Sequence, residues 1–177
     1  MNYHNITYPD MNNGDGLRVV LWLSGCSHHC YNCQNPQTWD VNSGIPFDES
    51  AKEELFRELG KDYISGLTLS GGDPLHEANL DGVLDLVNEI RLSFPNKSIW
   101  IYSGYQWSEI FNDGVYLTKN CYGWKRREIV RQCTVMVDGR YIDSQRNPSK
   151  KWAGSNNQHV IDIQQSLQKG EIVLWKC

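Results

Sequence analysis

The residues with the clearest chemical potential are three cysteines inside eight positions, Cys26, Cys30 and Cys33. They follow an apolar run, Val19–Leu23, that we expect to form a buried strand. Three thiolates on one short loop can hold three irons of a 4Fe–4S cluster, which normally takes four cysteines. The remaining iron is then open to a substrate, as in catalytic metal sites. The motif therefore indicates chemistry rather than electron storage alone.

One alternative is that the three thiols are ordinary core residues. Their spacing of i, i+4 and i+7 also places them on one face of a helix. Against this, Gly25, Asn32 and Pro36 are poor helix residues, and the polar run between the first two cysteines is typical of a loop.

The other alternative is zinc, with His28 or His29 as the fourth ligand. Structural zinc sites usually show paired C-x-x-C motifs. The remaining cysteines, Cys121, Cys133 and Cys177, are scattered and form no second pair, so we expect them to be thiols outside the site. The spacing favours iron–sulfur over zinc, without excluding zinc.

Length and composition predict one folded domain over residues 1–177, with 40% hydrophobic and 21% charged residues. The net charge of −4 argues against nucleic acid as a partner. No apolar run has the length of a membrane span, and residues 1–5 are not typical of a signal peptide. We therefore expect a cytoplasmic protein without a membrane partner, in which six cysteines favour metal binding over disulfides.

Apolar segments alternate with helical patterns, which predicts a parallel sheet with right-handed crossovers. One helix is expected to begin after Asp48 and end at Gly60, and a second to end before Pro95. Residues 112–123 are expected to form an irregular surface insertion. Further strands are predicted at Gly66–Leu69, Ile99–Tyr102, Thr134–Val137, Val160–Ile163 and Ile172–Trp175.

Functional loops of such sheets gather beyond the carboxyl ends of the strands. Cys26, Gly71, Ser103 and Asp138 each follow a predicted strand, so we expect their segments to meet at one edge. A ligand could approach the backbone closely at the glycine pair that begins with Gly71, because side chains are missing there.

The residue after that glycine pair, Asp73, has two interpretations that the sequence leaves open. Its carboxylate could hold an ammonium group of a ligand. It could instead cap a helix that begins at Pro74.

The cysteine motif, with the aromatic Tyr31 between its second and third cysteines, resembles that of the radical S-adenosylmethionine superfamily. More narrowly, the chain is similar to the family of activating proteins of anaerobic (class III) ribonucleoside-triphosphate reductases. The runs that carry this resemblance span nearly the whole chain: Met1–His4, Asn13–Arg18, Ser24–His28, Val41–Gly44, Leu69–His76, Val137–Tyr141 and Gly154–Gln158.

The resemblance implies a parallel-sheet partial (β/α) barrel and a 4Fe–4S cluster held by Cys26, Cys30 and Cys33. It implies reductive cleavage of S-adenosyl-L-methionine to a 5′-deoxyadenosyl radical, which takes hydrogen from a glycine of the reductase and leaves a glycyl radical. The cofactor would do the difficult chemistry and the protein would position it. The implied contacts are Tyr31, Asn32 and Gln34 along the adenosine, Gly71, Gly72 and Asp73 near the methionine ammonium, and Ser103 near the ribose.

The implied partners are the large subunit of the reductase and an electron donor such as reduced flavodoxin. The run Lys125–Arg127, with Arg131, is usually a solvated helix face, although it could dock an acidic donor. His28 could be a donor to a cluster sulfur or an exposed loop histidine. The polar segment Arg146–Gln158, with Trp152 as its aromatic residue, could seat the glycine-bearing loop of the reductase or be an ordinary loop.

Three classes of function remain open at this point. The first is a glycyl-radical activating enzyme for anaerobic ribonucleotide reductase. The second is an activase of another glycyl radical enzyme, or a small-molecule radical enzyme. The short chain disfavours the small-molecule enzyme because it leaves little length for a closed substrate pocket. The third is a zinc-binding interaction module, which analysis for iron and sulfide would separate from the others.

Overall fold

The structure, a computed structural model, describes residues 1–111 and 121–176. The described part contains strands β1 (Asn2–Asp10), β2 (Arg18–Leu23), β3 (Ile45–Pro46), β4 (Gly66–Gly71), β5 (Ser98–Tyr102), β6 (Val135–Asp138) and β7 (His159–Asp162). Its α-helices are α1 (Glu49–Leu59), α2 (Leu80–Ser93), α3 (Trp107–Phe111), α4 (Tyr122–Gln132) and α5 (Ile163–Lys169).

The strands form one mixed sheet in the order β3-β1-β2-β4-β5-β6-β7. The central strands β2, β4, β5 and β6 are parallel, whereas β1, β3 and β7 run antiparallel to their neighbours. The prediction of an α/β protein with a parallel sheet is therefore confirmed for the centre. In the described residues the edge strands β3 and β7 do not pair with each other, so the sheet is open.

The predicted helices form where their capping residues place them. Asp48 accepts a hydrogen bond from the amide of Ala51 at the start of α1, as an N-cap does. Helix α2 ends at Ser93, before Pro95, which cannot continue it. None of the helices in the described ranges is long and apolar enough to cross a membrane.

Several elements differ from the sequence-based expectation. Strand β1 was missed because its sequence is largely polar, contains Pro9 and buries only Tyr3 and Ile6. The last predicted strand, Ile172–Trp175, is reduced to one antiparallel bridge between Ile161 and Leu174.

The expected parallel arrangement is also wrong for β7. The connection from β6 to β7 contains a single 3-10 turn and no α-helix, so the chain returns antiparallel instead of crossing over. The predicted strand over 160–163 ends one residue early, because Ile163 begins α5. Most of the expected insertion at 112–123 lies outside the described residues, and its last two residues belong to α4.

The two faces of the sheet are different because side chains alternate along each strand. One face carries the main core, to which α1, α2, α4 and α5 contribute apolar side chains. The other face carries a small aromatic cluster around Trp100, which includes Trp152 and Trp175. Those helices do not cover this second face, which extends to the predicted site.

A buried arginine links the central strands near their amino ends by hydrogen bonds. Arg18 has no exposed surface, and its Nε donates to Thr68 Oγ1 at 2.6 Å while Nη2 donates to the carbonyl of Leu67 at 2.6 Å. Its Nη1 donates to Ser98 Oγ at 2.9 Å, and the guanidinium lies 5.4 Å from the ring centroid of Trp100. Burial lowers the pKa of Arg18 to about 10, so it remains a cation at neutral pH.

Candidate iron–sulfur site

The predicted site segments meet at the carboxyl edge of the parallel strands. Cys26 follows β2, Asp73 follows β4 and Ser103 follows β5, and these strands are hydrogen-bonded in parallel register. The backbone amide of Cys26 donates to the carbonyl of Trp39 at 3.0 Å, and that of Asp73 donates to the carbonyl of Gly25 at 2.7 Å. The convergence expected from the sequence is confirmed.

Each of the three cysteines follows a residue in the left-handed backbone region. Gly25 has φ = 95°, His29 has φ = 46° and Asn32 has φ = 55°. Such residues turn the chain so that successive amides face one side, and many anion and iron–sulfur sites are built on this conformation. The cysteine loop therefore curls rather than extends, which fits a shared centre for its thiolates.

Backbone amides surround the thiols. Burial raises the pKa of the Cys26 thiol to about 11, while hydrogen bonds from the backbone of His28 and His29 act to lower it. The amide of Asn35 donates to Cys33 Sγ at 3.4 Å. Thiolates that ligate a cluster are stabilised by such donors, so the loop and its donor set fit a 4Fe–4S cluster with three cysteine ligands.

The alternatives to a cluster fit less well. The segment with the three cysteines contains no helix, so the interpretation of the thiols as one helical core face is wrong. The two candidate zinc-binding imidazoles are engaged elsewhere: His28 contacts Asp73, and His29 lies edge to face on Trp39. Among the described residues, no three histidine, cysteine, aspartate or glutamate side chains are arranged to hold a single metal ion.

Asp73 is the most heavily hydrogen-bonded side chain of the site. It is 2% exposed, and its carboxylate accepts from Leu75 N at 2.8 Å, Ser103 Oγ at 2.9 Å and Gly104 N at 3.0 Å. The Nε2 of His28 donates to Oδ2 at 2.7 Å. Asp73 caps none of the described helices, because Asn79 precedes α2, so the helix-cap interpretation is wrong.

The glycine pair before Asp73 has a packing role. A side chain on Gly71, whose φ is 97°, would lie 2.8 Å from the backbone of Leu23. A side chain on Gly72 would lie 2.6 Å from the carbonyl of Gly25. Both glycines thus allow the backbone after β4 to pack directly against the start of the cysteine loop.

A cavity of about 340 Å³ lies beside the cysteine loop, on the face of the sheet opposite the main core. Its wall includes Cys30, Cys33 and Gln34 from the loop, with Ser70 and Tyr102 from the strands. Burial raises the pKa of Tyr102, so its phenol stays protonated at neutral pH. The cavity is large enough for part of a nucleoside-sized ligand.

The residues predicted to contact S-adenosyl-L-methionine do not all lie in this cavity. Gln34 lines it, but Tyr31 is 77% exposed at the tip of the loop, beside the exposed Asn32. Ser103 is buried, and its hydroxyl donates to Asp73.

The segment Arg146–Gln158 also reaches the site. Lys150, Trp152 and Gln158 line the first cavity, and Asn157 lines a second cavity of about 410 Å³ on another side of Cys30. Trp152 is half-buried and lies edge to face on Trp100, with 5.7 Å between the ring centroids. It is therefore an anchor of its own segment, whereas Asn157 borders open space.

The expectation of a solvated basic face on α4 is wrong for two residues. The side chain of Lys125 is 16% exposed and pairs with Asp81. That of Arg126 is 13% exposed, lies over the ring of Tyr105 and donates to its hydroxyl at 2.8 Å. Arg131 is exposed.

Sequence reasoning missed the contact between His28 and Asp73. The two residues are 45 positions apart, and no periodicity links them. The exposed-loop interpretation of His28 is wrong, because its side chain is 5% exposed. One usable signal was the small residue after Ser103, since Gly104 leaves room for the imidazole.

This architecture, a cysteine loop at the carboxyl edge of an α/β sheet, defines an iron–sulfur protein. The family described as "4Fe-4S single cluster domain" matches residues 12–161. Curated relatives are named anaerobic ribonucleoside-triphosphate reductase-activating protein. The one from Escherichia coli K12 is 38% identical over 162 residues, covering 90% of this chain and 97% of the relative.

Two further relatives of the same name agree. The protein from Enterobacteria phage T4 is 38% identical over 161 residues, covering 90% of this chain and 93% of the relative. That from Vibrio cholerae is 36% identical over 162 residues, covering 90% and 97%. The chain belongs to the family of anaerobic ribonucleoside-triphosphate reductase-activating proteins.

Proposed function

We propose that this protein activates an anaerobic ribonucleoside-triphosphate reductase by generating a glycyl radical on it. The observation that carries the proposal is the cysteine loop, in which a left-handed residue precedes each of Cys26, Cys30 and Cys33 at the carboxyl edge of the sheet. The relatives that this chain matches over nearly their whole length are named for this activity. When bound, the 4Fe–4S cluster supplies the electron that cleaves S-adenosyl-L-methionine to a 5′-deoxyadenosyl radical.

The ligands of the cluster are the three thiolates of the cysteine loop. Their spacing and the amide donors around Cys26 and Cys33 support this assignment. Three ligands leave one iron for S-adenosyl-L-methionine. The loop thereby fixes where the cofactor sits relative to the strands.

The cofactor occupies the space around the cysteine loop and the carboxyl ends of β4 and β5. Support comes from the cavity of about 340 Å³ beside Cys30 and Cys33, with Gln34 in its wall. The exposed Tyr31 and Asn32 could move onto the adenosine when the cofactor enters. Gly71, Gly72 and Asp73 lie toward the methionine end, and Ser103 toward the ribose.

The reductase places its glycine-bearing loop over the second cavity. This cavity of about 410 Å³ borders Cys30 and includes Arg140, Tyr141 and Asn157. The position of the segment Arg146–Gln158 between the two cavities supports a role in seating that loop. Closing the site with the partner would also keep the radical from water.

The remaining proposals concern architecture and setting. Helices α1, α2, α4 and α5 pack on one face of the sheet, which supports a partial (β/α) barrel whose other face is the interior, within one domain over 1–177. The electron donor is an acidic protein such as reduced flavodoxin, for which the exposed Arg131 offers positive charge. The cytoplasm is the compartment, since reducing conditions preserve thiolate ligands.

Anaerobic reconstitution with iron and sulfide tests the function. The reduced protein should convert S-adenosyl-L-methionine to 5′-deoxyadenosine and methionine, and should produce a glycyl radical on the reductase, seen by electron paramagnetic resonance. Cofactor cleavage without a radical on this reductase would indicate a different glycyl radical enzyme or a small-molecule substrate. A protein that takes up zinc but no iron and sulfide would refute the proposal.

A further inference from the structure

His28 lies between Cys26 and Cys30 in the cysteine loop, but its imidazole is buried among three loops of the carboxyl edge. Its Nε2 donates to Asp73 Oδ2 at 2.7 Å, and the two side chains are 5% and 2% exposed. The ring of Tyr105 packs against it edge to face, with 4.8 Å between the centroids. Buried polar groups are costly unless paired, so this hydrogen bond holds the imidazole in one place.

Gly104 provides the space for that imidazole. A side-chain carbon at Gly104 would lie 2.2 Å from Cδ2 and 2.6 Å from Nε2 of His28, which is far inside contact distance. The ring therefore rests directly on the backbone that follows β5. This close fit joins the cysteine loop to the neighbouring strand end.

Protein donors occupy the hydrogen-bond acceptor positions of the Asp73 carboxylate. An ionised carboxylate has about four acceptor positions. Oδ1 accepts from Leu75 N and Ser103 Oγ, and Oδ2 accepts from His28 Nε2 and Gly104 N. A ligand ammonium group would have to compete with these donors.

We propose that His28 is the positioning residue of the cysteine loop, and that Asp73 governs cofactor binding through its hydrogen bond to His28. The loop that carries the cluster ligands is thus held to the carboxyl ends of β4 and β5. The proposal deepens the proposed function and rests on it, because the cluster and its cofactor report the position of the loop.

Variants of His28 test this role in the reconstituted protein. His28→Ala should still assemble a cluster, but should lose iron to a chelator about tenfold faster and bind S-adenosyl-L-methionine about tenfold more weakly. The change that the cofactor causes in the electron paramagnetic resonance signal of the reduced cluster should shrink. His28→Gln, whose amide can donate near the same place, should recover most of these properties. His29→Asn is the matched control, since it keeps a residue that tolerates the left-handed backbone.

Gly104→Ala tests the same position from outside the cysteine loop. The new methyl group would displace the imidazole without changing either partner of the hydrogen bond. It should reproduce the faster iron loss and weaker binding of His28→Ala. Thermal unfolding of the protein without cluster, compared with Gly60→Ala at the end of α1, separates this effect from general misfolding.

The double variant His28→Ala/Asp73→Asn decides how Asp73 acts. If Asp73 acts through His28, the two losses of affinity should not add. The double variant should then bind the cofactor about as tightly as whichever single variant has the lower affinity. Additive losses would overturn the proposal, because Asp73 would then hold the ligand independently. Wild-type iron retention in His28→Ala, or a His28→Gln variant no better than His28→Ala, would also overturn it. If the wild-type protein held a cluster but cleaved no cofactor, the proposed function would fail while the rates of iron loss would still test His28.

Discussion

The two ends of the central strands bury charged side chains in different ways. At the amino end, the guanidinium of Arg18 donates to backbone carbonyls and strand hydroxyls such as those of Leu67 and Thr68. At the carboxyl end, the carboxylate of Asp73 accepts from three separate loops, including the one that carries the cysteines. The first charge is tied to rigid strands and the second to loops.

The difference separates stability from function. The partners of Arg18 belong mainly to the sheet, so its loss should weaken the fold and leave the cysteine loop in place. The partners of Asp73 belong to loops at the carboxyl edge, where binding residues are commonly found. In barrels built from parallel strands, chemistry is found at the carboxyl ends and structural residues at the amino ends.

The largest effect should come from the cysteine loop itself. Replacing Cys26, Cys30 or Cys33 by alanine should abolish cleavage of S-adenosyl-L-methionine, because one iron loses its ligand and the cluster becomes labile. Iron content and 5′-deoxyadenosine formation measure this. Cys121→Ser, at the start of α4, should keep both, since serine is a good N-cap. If Cys121→Ser lost the cluster while Cys30→Ala remained active, the assignment of the cluster ligands would be wrong.

Arg18→Met should have the largest effect on stability without a direct effect on chemistry. The buried acceptors of Leu67, Thr68 and Ser98 would lose their donor, which should lower the free energy of unfolding by about 3 kcal/mol. Urea unfolding of the protein without cluster measures the loss. The 63% exposed Arg57, replaced by Met, should cost less than about 1 kcal/mol. Equal losses in the two variants would contradict the structural role of Arg18.

Asp73→Asn should weaken cofactor binding without loss of the cluster, and so sharpen the comparison with Arg18. Iron content should stay near that of the wild type, whereas S-adenosyl-L-methionine should bind more weakly by about 1.5–3 kcal/mol, because a buried charge-assisted hydrogen bond is lost. Titration of the reconstituted variant measures this. Asp81→Asn changes a carboxylate that is 79% exposed, and should bind like the wild type. If Asp73→Asn bound S-adenosyl-L-methionine as tightly as the wild type, Asp73 would have no role in cofactor binding.

The smallest effect should be on recognition of the reductase. Asn157→Ala changes a residue that lines the second cavity, and should lower the yield of glycyl radical a few-fold while cofactor cleavage under a chemical reductant stays unchanged. Electron paramagnetic resonance of the reductase measures the yield. Asn156→Ala alters the neighbouring exposed amide and serves as the control. A normal radical yield in Asn157→Ala would exclude that side chain from docking.

Much of the fold could be predicted where local patterns are strong. The cap at Asp48 and the end of α2 before Pro95 depend on neighbouring residues, and both were predicted. Strand β1 and the direction of β7 could not be predicted in this way. A polar edge strand carries little periodicity, and the direction of β7 depends on how a long loop returns to the sheet.

The sequence by itself determined the chemistry of the site: three thiols at close spacing, after a buried strand and followed by a glycine pair and Asp73. Residue type and spacing suffice for this, because the donor atoms lie on one short loop. Only the tertiary structure decided that Asp73 pairs with His28, that Gly104 makes room for the imidazole and that Arg18 closes the other end. These contacts join residues from about 45 to 80 positions apart, and such pairs are selected by packing and by the cost of burying unpaired polar groups.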